Sequence, residues 1–184
     1  MNRFILLSLL CCSPVFAAAR VVDGHTYAAS VTSGEVAFKL QGAGQYRHLG
    51  IWRVYSSALY LAKPEDAANI LGNVPKRLEI TYYRDISAKD CIDIGDKYLK
   101  KNLGPNQLAA IQDGVDAINL LYRDLKTGDR YVLEYQPGKG TTITHNGTLL
   151  GTIPGEAFGS SYFAIWLGEK SPGEDLRKAM LGKS

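Results

Sequence analysis

Cysteine is scarce in this chain, and where it occurs matters more than how often. Three cysteines stand in 184 residues, and two of them, Cys11 and Cys12, belong to an apolar N-terminal leader. Only Cys91 lies beyond it, so no disulfide can close within the remainder and packing must hold the fold. Histidine is as sparse: His25, His48 and His145 are far apart, two of them in turn-forming sequence, without the spacing of metal ligands. The chain has no Gly-x-Ser-x-Gly elbow, phosphate-binding loop or dinucleotide fingerprint, which sets aside the common nucleophile and nucleotide classes. Lysine plus arginine number 21 against 18 acids, with no basic block. The concentrated positive face of a nucleic-acid binder is therefore missing. Nor does any apolar run beyond the leader approach the roughly 20 residues that a membrane helix requires.

The leader itself is informative. Arg3 precedes the apolar run Ile5 to Cys12, and Ser13 and Pro14 lead to the small residues Ala17, Ala18 and Ala19. This order reads as a secretory signal peptide over residues 1–19, and it predicts a periplasmic or secreted product. A lipoprotein site would want a small residue before the modified cysteine, and Leu10 and Cys11 occupy those places. Residues 20–184 then suffice for a single domain with a substantial core.

Hydropathy periods order that domain. Glu35 to Tyr46 and Ile51 to Ala62 read as long strands joined by a turn near His48, Leu49 and Gly50. In the second, strict alternation puts Trp52, Val54, Ser56, Ala58 and Tyr60 on one face and Arg53, Tyr55, Ser57, Leu59 and Leu61 on the other. A short helix over Glu65 to Leu71 and a strand from Leu78 to Tyr83 follow. Ser87 caps a helix from Ala88 to Leu103, and Pro105 opens another whose three-four spacing runs to Leu125. Three strands, Arg130 to Tyr135, Thr141 to Thr144 and Thr148 to Ile153, are joined by turns at residues 137–140 and at His145, Asn146 and Gly147. Helices over Glu156 to Leu167 and Pro172 to Leu181 end the chain, the last with Ser171 as cap and Glu174 completing a capping box. Antiparallel strands interrupted by helical pairs predict one α+β domain with helices layered on a mostly antiparallel sheet.

Cys91 falls on an apolar helix face, where a thiol acts as a small hydrophobe. Gly42 and Gly44 suggest a strand bend or bulge. The eleven tyrosines suit a half-wet wall along the sheet margin. The concentration of Arg47, Arg53 and Tyr55 beside Ser56, Ser57 and Ala58 is more pointed. Small strand residues leave room, and a guanidinium near a phenol can hold a carboxylate or phenolate at the end of that room.

Gly42, Gly44 and Arg47, followed by Arg53 to Leu61, resemble the glycine, arginine and strand signature of the chalcone isomerase-like family, in particular its exported bacterial branch. The resemblance continues through Tyr83 to Ile86, Gly128 and Asp129, Asn146 and Gly147, and Ile165 to Gly168. It implies an open-faced β-sandwich, a long curved antiparallel sheet covered by helices. Plant enzymes of this family close chalcones to flavanones, and related plastid proteins bind fatty acids. Of the enzyme-like residues the resemblance carries over only the arginine, at Arg47. Tyr55 stands for the strand threonine, Gln107 for the helix tyrosine, Gly114 or Asp113 for the asparagine, and Ile165 for the last threonine.

Losing one transition-state donor typically costs about 100- to 1000-fold in rate, so four replacements argue against efficient chalcone closure. The resemblance implies instead a non-catalytic binder of a small apolar acid such as a fatty acid, with Arg47 and Tyr55 gripping the carboxylate and Arg53, Ser57, Gln107 and Ile165 lining the pocket. Two alternatives stay open. One is an isomerase or intramolecular lyase on a phenolic or enone substrate, with Arg47 holding the anion and Tyr55 as general acid. The other is a periplasmic interaction module in which Arg47 pairs with Asp85 or Glu79. No cofactor or metal is expected under any of the three.

Overall fold

The structure, a computed structural model, describes residues 19–183. The expected leader therefore lies outside the described residues, apart from Ala19. Nine strands and five α-helices follow one another as β1 (Arg20–Val22), β2 (His25–Tyr27), β3 (Ser30–Ser33), β4 (Val36–His48), β5 (Trp52–Leu61), β6 (Lys76–Tyr82), α1 (Ala88–Asn102), α2 (Pro105–Asn119), β7 (Arg130–Gln136), β8 (Gly140–His145), β9 (Thr148–Ile153), α3 (Glu156–Ser161), α4 (Ala164–Leu167) and α5 (Glu174–Met180). The seven strands β3 to β9 form one curled antiparallel sheet in strict chain order, while β1 and β2 make a separate hairpin. The class is α+β, as the sequence predicts. Among the described residues no helix is long and apolar enough to cross a membrane.

Each face of the sheet has its own core. One face carries Leu59, Leu61, Leu78, Ile80, Tyr82, Leu133 and Tyr135 against the helices. The other carries a smaller cluster of Tyr27, Phe38, Ala43, Ala58 and Tyr60. Over that second face the β1–β2 hairpin is fastened by side chains: the Tyr27 hydroxyl meets Ser56 Oγ at 2.7 Å, and Tyr83 donates to the Val22 carbonyl at 3.1 Å. Further along it, Glu79 is paired with Arg77 (2.9 Å) and Arg130 (3.0 Å), and Glu134 with Arg77 (2.8 Å). Such nearly buried carboxylates require these cations, since an unpaired buried charge is strongly destabilising. The tyrosines expected along a wet margin are mostly interior: Tyr27, Tyr55, Tyr60, Tyr82, Tyr122, Tyr131, Tyr135 and Tyr162 are all buried.

Several expected elements change form. The segment 64–71 is a 3-10 turn over Pro64–Asn69. The three-four spacing beyond Asn119 does not continue as helix, because Leu125 is taken by a backbone bridge to Ile86. Tyr122 and Leu125 are buried all the same. The helix expected over 156–167 divides at Tyr162 and Phe163, and the Ser171 capping box does not form, since Gly173 occupies the N-cap of α5. The short strands β1 to β3 have no strong period and were not expected.

Gly42 and Gly44 have a reason beyond bending. A register shift does occur between Leu40 and Gly42. In addition α5 lies directly on β4: a Cβ at Gly42 would sit 2.1 Å from the Ala179 carbonyl oxygen, and one at Gly44 would lie 3.0 Å from Ala179 Cβ. Gly42→Ala must push α5 off the sheet, and it should lower unfolding free energy by about 1–3 kcal/mol in urea. A loss below about 0.5 kcal/mol would show that this approach is not tight in solution.

Lys76 is wholly buried. Its ammonium donates to the Ile70 and Gly72 carbonyls, both at 2.8 Å, and lies 5.3 Å and 5.4 Å from the ring centres of Tyr135 and Phe163. Burial brings its pKa down from 10.5 to about 8. The unfolded chain therefore holds a proton that the folded chain has released between those values. Stability should rise with pH across that window, and the charged form carries the cost below it. Urea midpoints of the parent should increase from pH ~8 toward ~10, before tyrosine ionisation in the unfolded chain opposes the trend, and Lys76→Met should flatten the rise. Parallel pH profiles for the two proteins would contradict this assignment.

Candidate functional site

A cavity of about 260 Å³ lies between the sheet and the helical layer. Its wall is built from Tyr46 and His48 at the end of β4, Val54 and Tyr55 at the start of β5, and Tyr82 at the end of β6. Cys91 and Tyr98 of α1, Tyr122, and Ile165 and Trp166 of α4 close the other side. Gly95 faces it too, where a Cβ would rest 3.6 Å from Ile165 Cδ1, so α1 comes close to α4. His48, Arg84, Ile94 and Lys97 are the exposed members of the wall and mark its mouth.

The wall is mostly aromatic. Tyr46 packs on Tyr55 with ring centres 5.3 Å apart, Tyr55 on Tyr82 at 5.9 Å, and Tyr82 edge-on to Tyr131 at 6.3 Å. The Tyr122 and Tyr162 hydroxyls hydrogen-bond at 2.9 Å, and Tyr46 Oη lies 3.4 Å from His48 Nδ1. Among the described residues the Tyr55 and Tyr82 hydroxyls have no hydrogen-bond partner. Burial pushes the pKa of Tyr55, Tyr82 and Tyr122 well above the usual tyrosine range. These phenols are therefore neutral donors near pH 7 and not bases. Burial likewise raises the Cys91 thiol to about 12, so it presents an apolar surface and not a thiolate.

The expected grip of Arg47 with Tyr55 does not exist. Tyr46 pairs with Tyr55 across β4 and β5, and Arg47 pairs with Arg53, because Val54 is an extra residue on β5 at that point. The bulge puts Val54 and Tyr55 together on the cavity side and turns Arg53 to the opposite face, where Arg47 already lies because it alternates with Tyr46 along β4. There Arg53 donates to Asp23 at 2.9 Å and its guanidinium carbon lies 5.3 Å from the Tyr83 ring centre. Gln45, its amide oriented to satisfy both neighbours, donates to Asp23 at 3.1 Å and accepts from Arg47 at 3.3 Å. The Arg53 hydrogen bond holds the Asp23 carboxyl below its ordinary range. Arg47 also fails to meet the partners expected of an interaction module: Asp85 is bound by Lys126, and Glu79 by Arg77 and Arg130.

Of the other expected lining residues, Ile165 is in the wall and Ser57 and Gln107 are not. Ser57 is buried and donates to the Glu79 carbonyl at 2.9 Å. Gln107 is exposed, and its side-chain oxygen accepts from the Gly104 amide at 3.0 Å to start α2. The cations at the mouth were overlooked, although Arg84 belongs to the Tyr83 to Ile86 stretch whose likeness was already noted. An isolated exposed lysine such as Lys97 carries no signal in sequence.

Comparison with known families now has a geometry to refer to. The chalcone isomerase-like family profile matches residues 19–182. The chain belongs to the chalcone isomerase-like family. No curated protein sequence matches it. Among solved structures, a fatty-acid binding protein of Arabidopsis thaliana is similar in fold, with a TM-score of 0.66 at 13% identity, covering 86% of this chain and 92% of that one. Gln107, Asp113 and Gly114, the residues that the sequence resemblance sets against the helix tyrosine and asparagine, lie outside the cavity wall. Gly114 is instead pressed by Phe158, where a Cβ would come within 2.6 Å of its ring.

Proposed function

We propose that this chalcone isomerase-like protein binds, without transforming it, a small apolar carboxylic acid such as a fatty acid in the cavity between sheet and helices. The observation that carries the reading is an apolar, aromatic hollow whose charged or titratable rim groups, among the described residues, are basic: His48, Arg84 and Lys97. An acyl tail would lie against Val54, Ile86, Tyr98, Ile165 and Trp166. The carboxylate would sit at the mouth, accepting from Arg84 or Lys97, with the free Tyr55 and Tyr82 phenols as neutral donors deeper in the wall.

Volume limits the guest. A cavity of ~150 Å³ accommodates benzene, so about 260 Å³ suits an acid of roughly eight to ten carbons or one aromatic ring. About seven buried methylenes at ~0.8 kcal/mol each, with ~2 kcal/mol from a charge-assisted hydrogen bond, correspond to a dissociation constant on the order of 1–10 µM. A longer chain would have to leave its end outside the wall.

The isomerase alternative loses its main support with Arg47 on the far face. Tyr55 lacks both a cationic neighbour and a lowered pKa. Export remains part of the proposal on the strength of the leader sequence. Mass determination of protein recovered from a periplasmic fraction should find the chain beginning near residue 20.

Calorimetric titration with decanoate tests the binding site. Arg84→Ala should weaken binding by roughly tenfold and Arg47→Ala by less than about twofold. The reverse order would return the head group to the other face, and no binding by the parent would end the proposal.

A further inference from the structure

The β4–β5 turn gathers three exposed apolar side chains within four residues: Leu49 is 72% exposed, Ile51 69% and Trp52 53%. They surround Gly50 at the tip of a hairpin whose base is the cavity wall, and Trp52 stacks on the rim residue His48 at a ring separation of 6.4 Å.

Three turns among the described residues, two-residue connections after β1 and β8 and a three-residue one after β4, each begin with two successive residues at left-handed φ. Their first and second φ angles are 47° and 89° at Asp23 and Gly24, 52° and 71° at Leu49 and Gly50, and 49° and 83° at Asn146 and Gly147. Aspartate and asparagine are the residues this backbone accepts readily, whereas a bulky side chain there is strained. Both also serve the fold: Asp23 binds Arg53, and Asn146 accepts from the Arg130 amide and donates to Asp129. Leu49 has no such contact and points into solvent. Local folding and solubility alike would favour asparagine, so the leucine indicates a demand from outside the folded chain.

The charges around the tip specify that demand. Arg47 and Arg53 flank it on one face, and His48, Arg84 and Lys97 line the cavity mouth on the other beside Ile94, itself 47% exposed. Of the carboxylates in this region, Asp23 pairs with Arg53, Asp85 with Lys126 and Asp93 with Lys89. Three apolar side chains fall far short of the roughly 20 residues a side of a stable protein interface. They are enough to enter the headgroup region of a bilayer, where aromatic and basic side chains act together.

We propose that the β4–β5 tip is a membrane-docking element, with Leu49, Ile51 and Trp52 inserted in an anionic bilayer and Arg47, Arg84 and Lys97 over its phosphates. Docking would set the cavity mouth against the membrane, so that an apolar acid passes between bilayer and protein without crossing bulk water. The docking rests on the tip alone; its purpose rests on the ligand-binding reading.

Sedimentation with mixed phosphatidylcholine–phosphatidylglycerol vesicles tests it in the absence of added acid. The parent should pellet with these vesicles, and less with pure phosphatidylcholine or at high salt. Leu49→Asn suits the turn and should melt no lower than the parent, while binding the mixed vesicles roughly tenfold more weakly; Trp52→Ser should weaken binding similarly. Parent and variants share one N-terminus, so any leader contribution is common to all. Failure of the parent to bind the mixed vesicles, as expected of a surface made for another protein, would overturn the proposal. So would unchanged binding by Leu49→Asn. Decanoate titration in vesicle-free solution reads the cavity separately, so either idea can fail while the other holds.

Discussion

The organisation of this molecule depends on the alternation of side chains along β5, which builds two different interiors from one strand. Leu59 and Leu61 enter the helix-covered core, while Ser56, Ala58 and Tyr60 enter the hairpin-covered one. Near its start the strand admits one extra residue, Val54, and the alternation changes phase. That single insertion places both Val54 and Tyr55 in the cavity and sends Arg53 to meet Asp23, on the face where β4 presents Gln45 and Arg47. The division between an apolar hollow and a charged outer face is thus fixed by a local irregularity in backbone pairing.

The two faces handle polarity by different means. On the hairpin side, carboxylates and guanidiniums are buried together, with Glu79 shared between Arg77 and Arg130. On the helix side, apart from Lys76 under its two carbonyls, the polar groups are phenols held neutral by burial. A cavity among neutral donors, with full positive charges confined to its mouth, favours an amphiphilic anion. Its apolar part gains from the wall, and its charge stays where water still reaches.

Much of the fold was readable because hydrophobic period and turn chemistry agree over long segments. The β7 to β9 strands with their Asn146–Gly147 turn, α1 with its Ser87 cap, and the β4–β5 hairpin all show this. What failed did so where a local pattern admits two solutions. The apolar spacing through Tyr122 and Leu125 suits a helix, yet an extended segment tied to Ile86 buries the same side chains. The site was less legible than the fold. Tyr55 and Ile165 were identified, but pairing Tyr55 with Arg47 overlooked that Tyr46, the neighbour of Arg47 on β4, is the residue opposite Tyr55, and a single strand's sequence does not show its partner's register. Arg84 and Lys97 come from separate elements and meet at one mouth only because α1 crosses the ends of β5 and β6.

The sheet adds its strands in the order in which they appear in the chain, so each can pair with a neighbour already present. Except between β6 and β7, which α1 and α2 separate, these pairings join segments close in sequence. The C-terminal helix α5 breaks the rule, for it returns across the whole chain to rest on Gly42 and Gly44 of β4. Its seat is prepared among the first elements and filled by the last residues, so the helix acts as a latch. A chain arrested shortly before residue 174 would hold nearly all of its sheet with that latch undone, and the face of β4 bearing Gly42 and Gly44 would wait uncovered for a partner that only completion supplies.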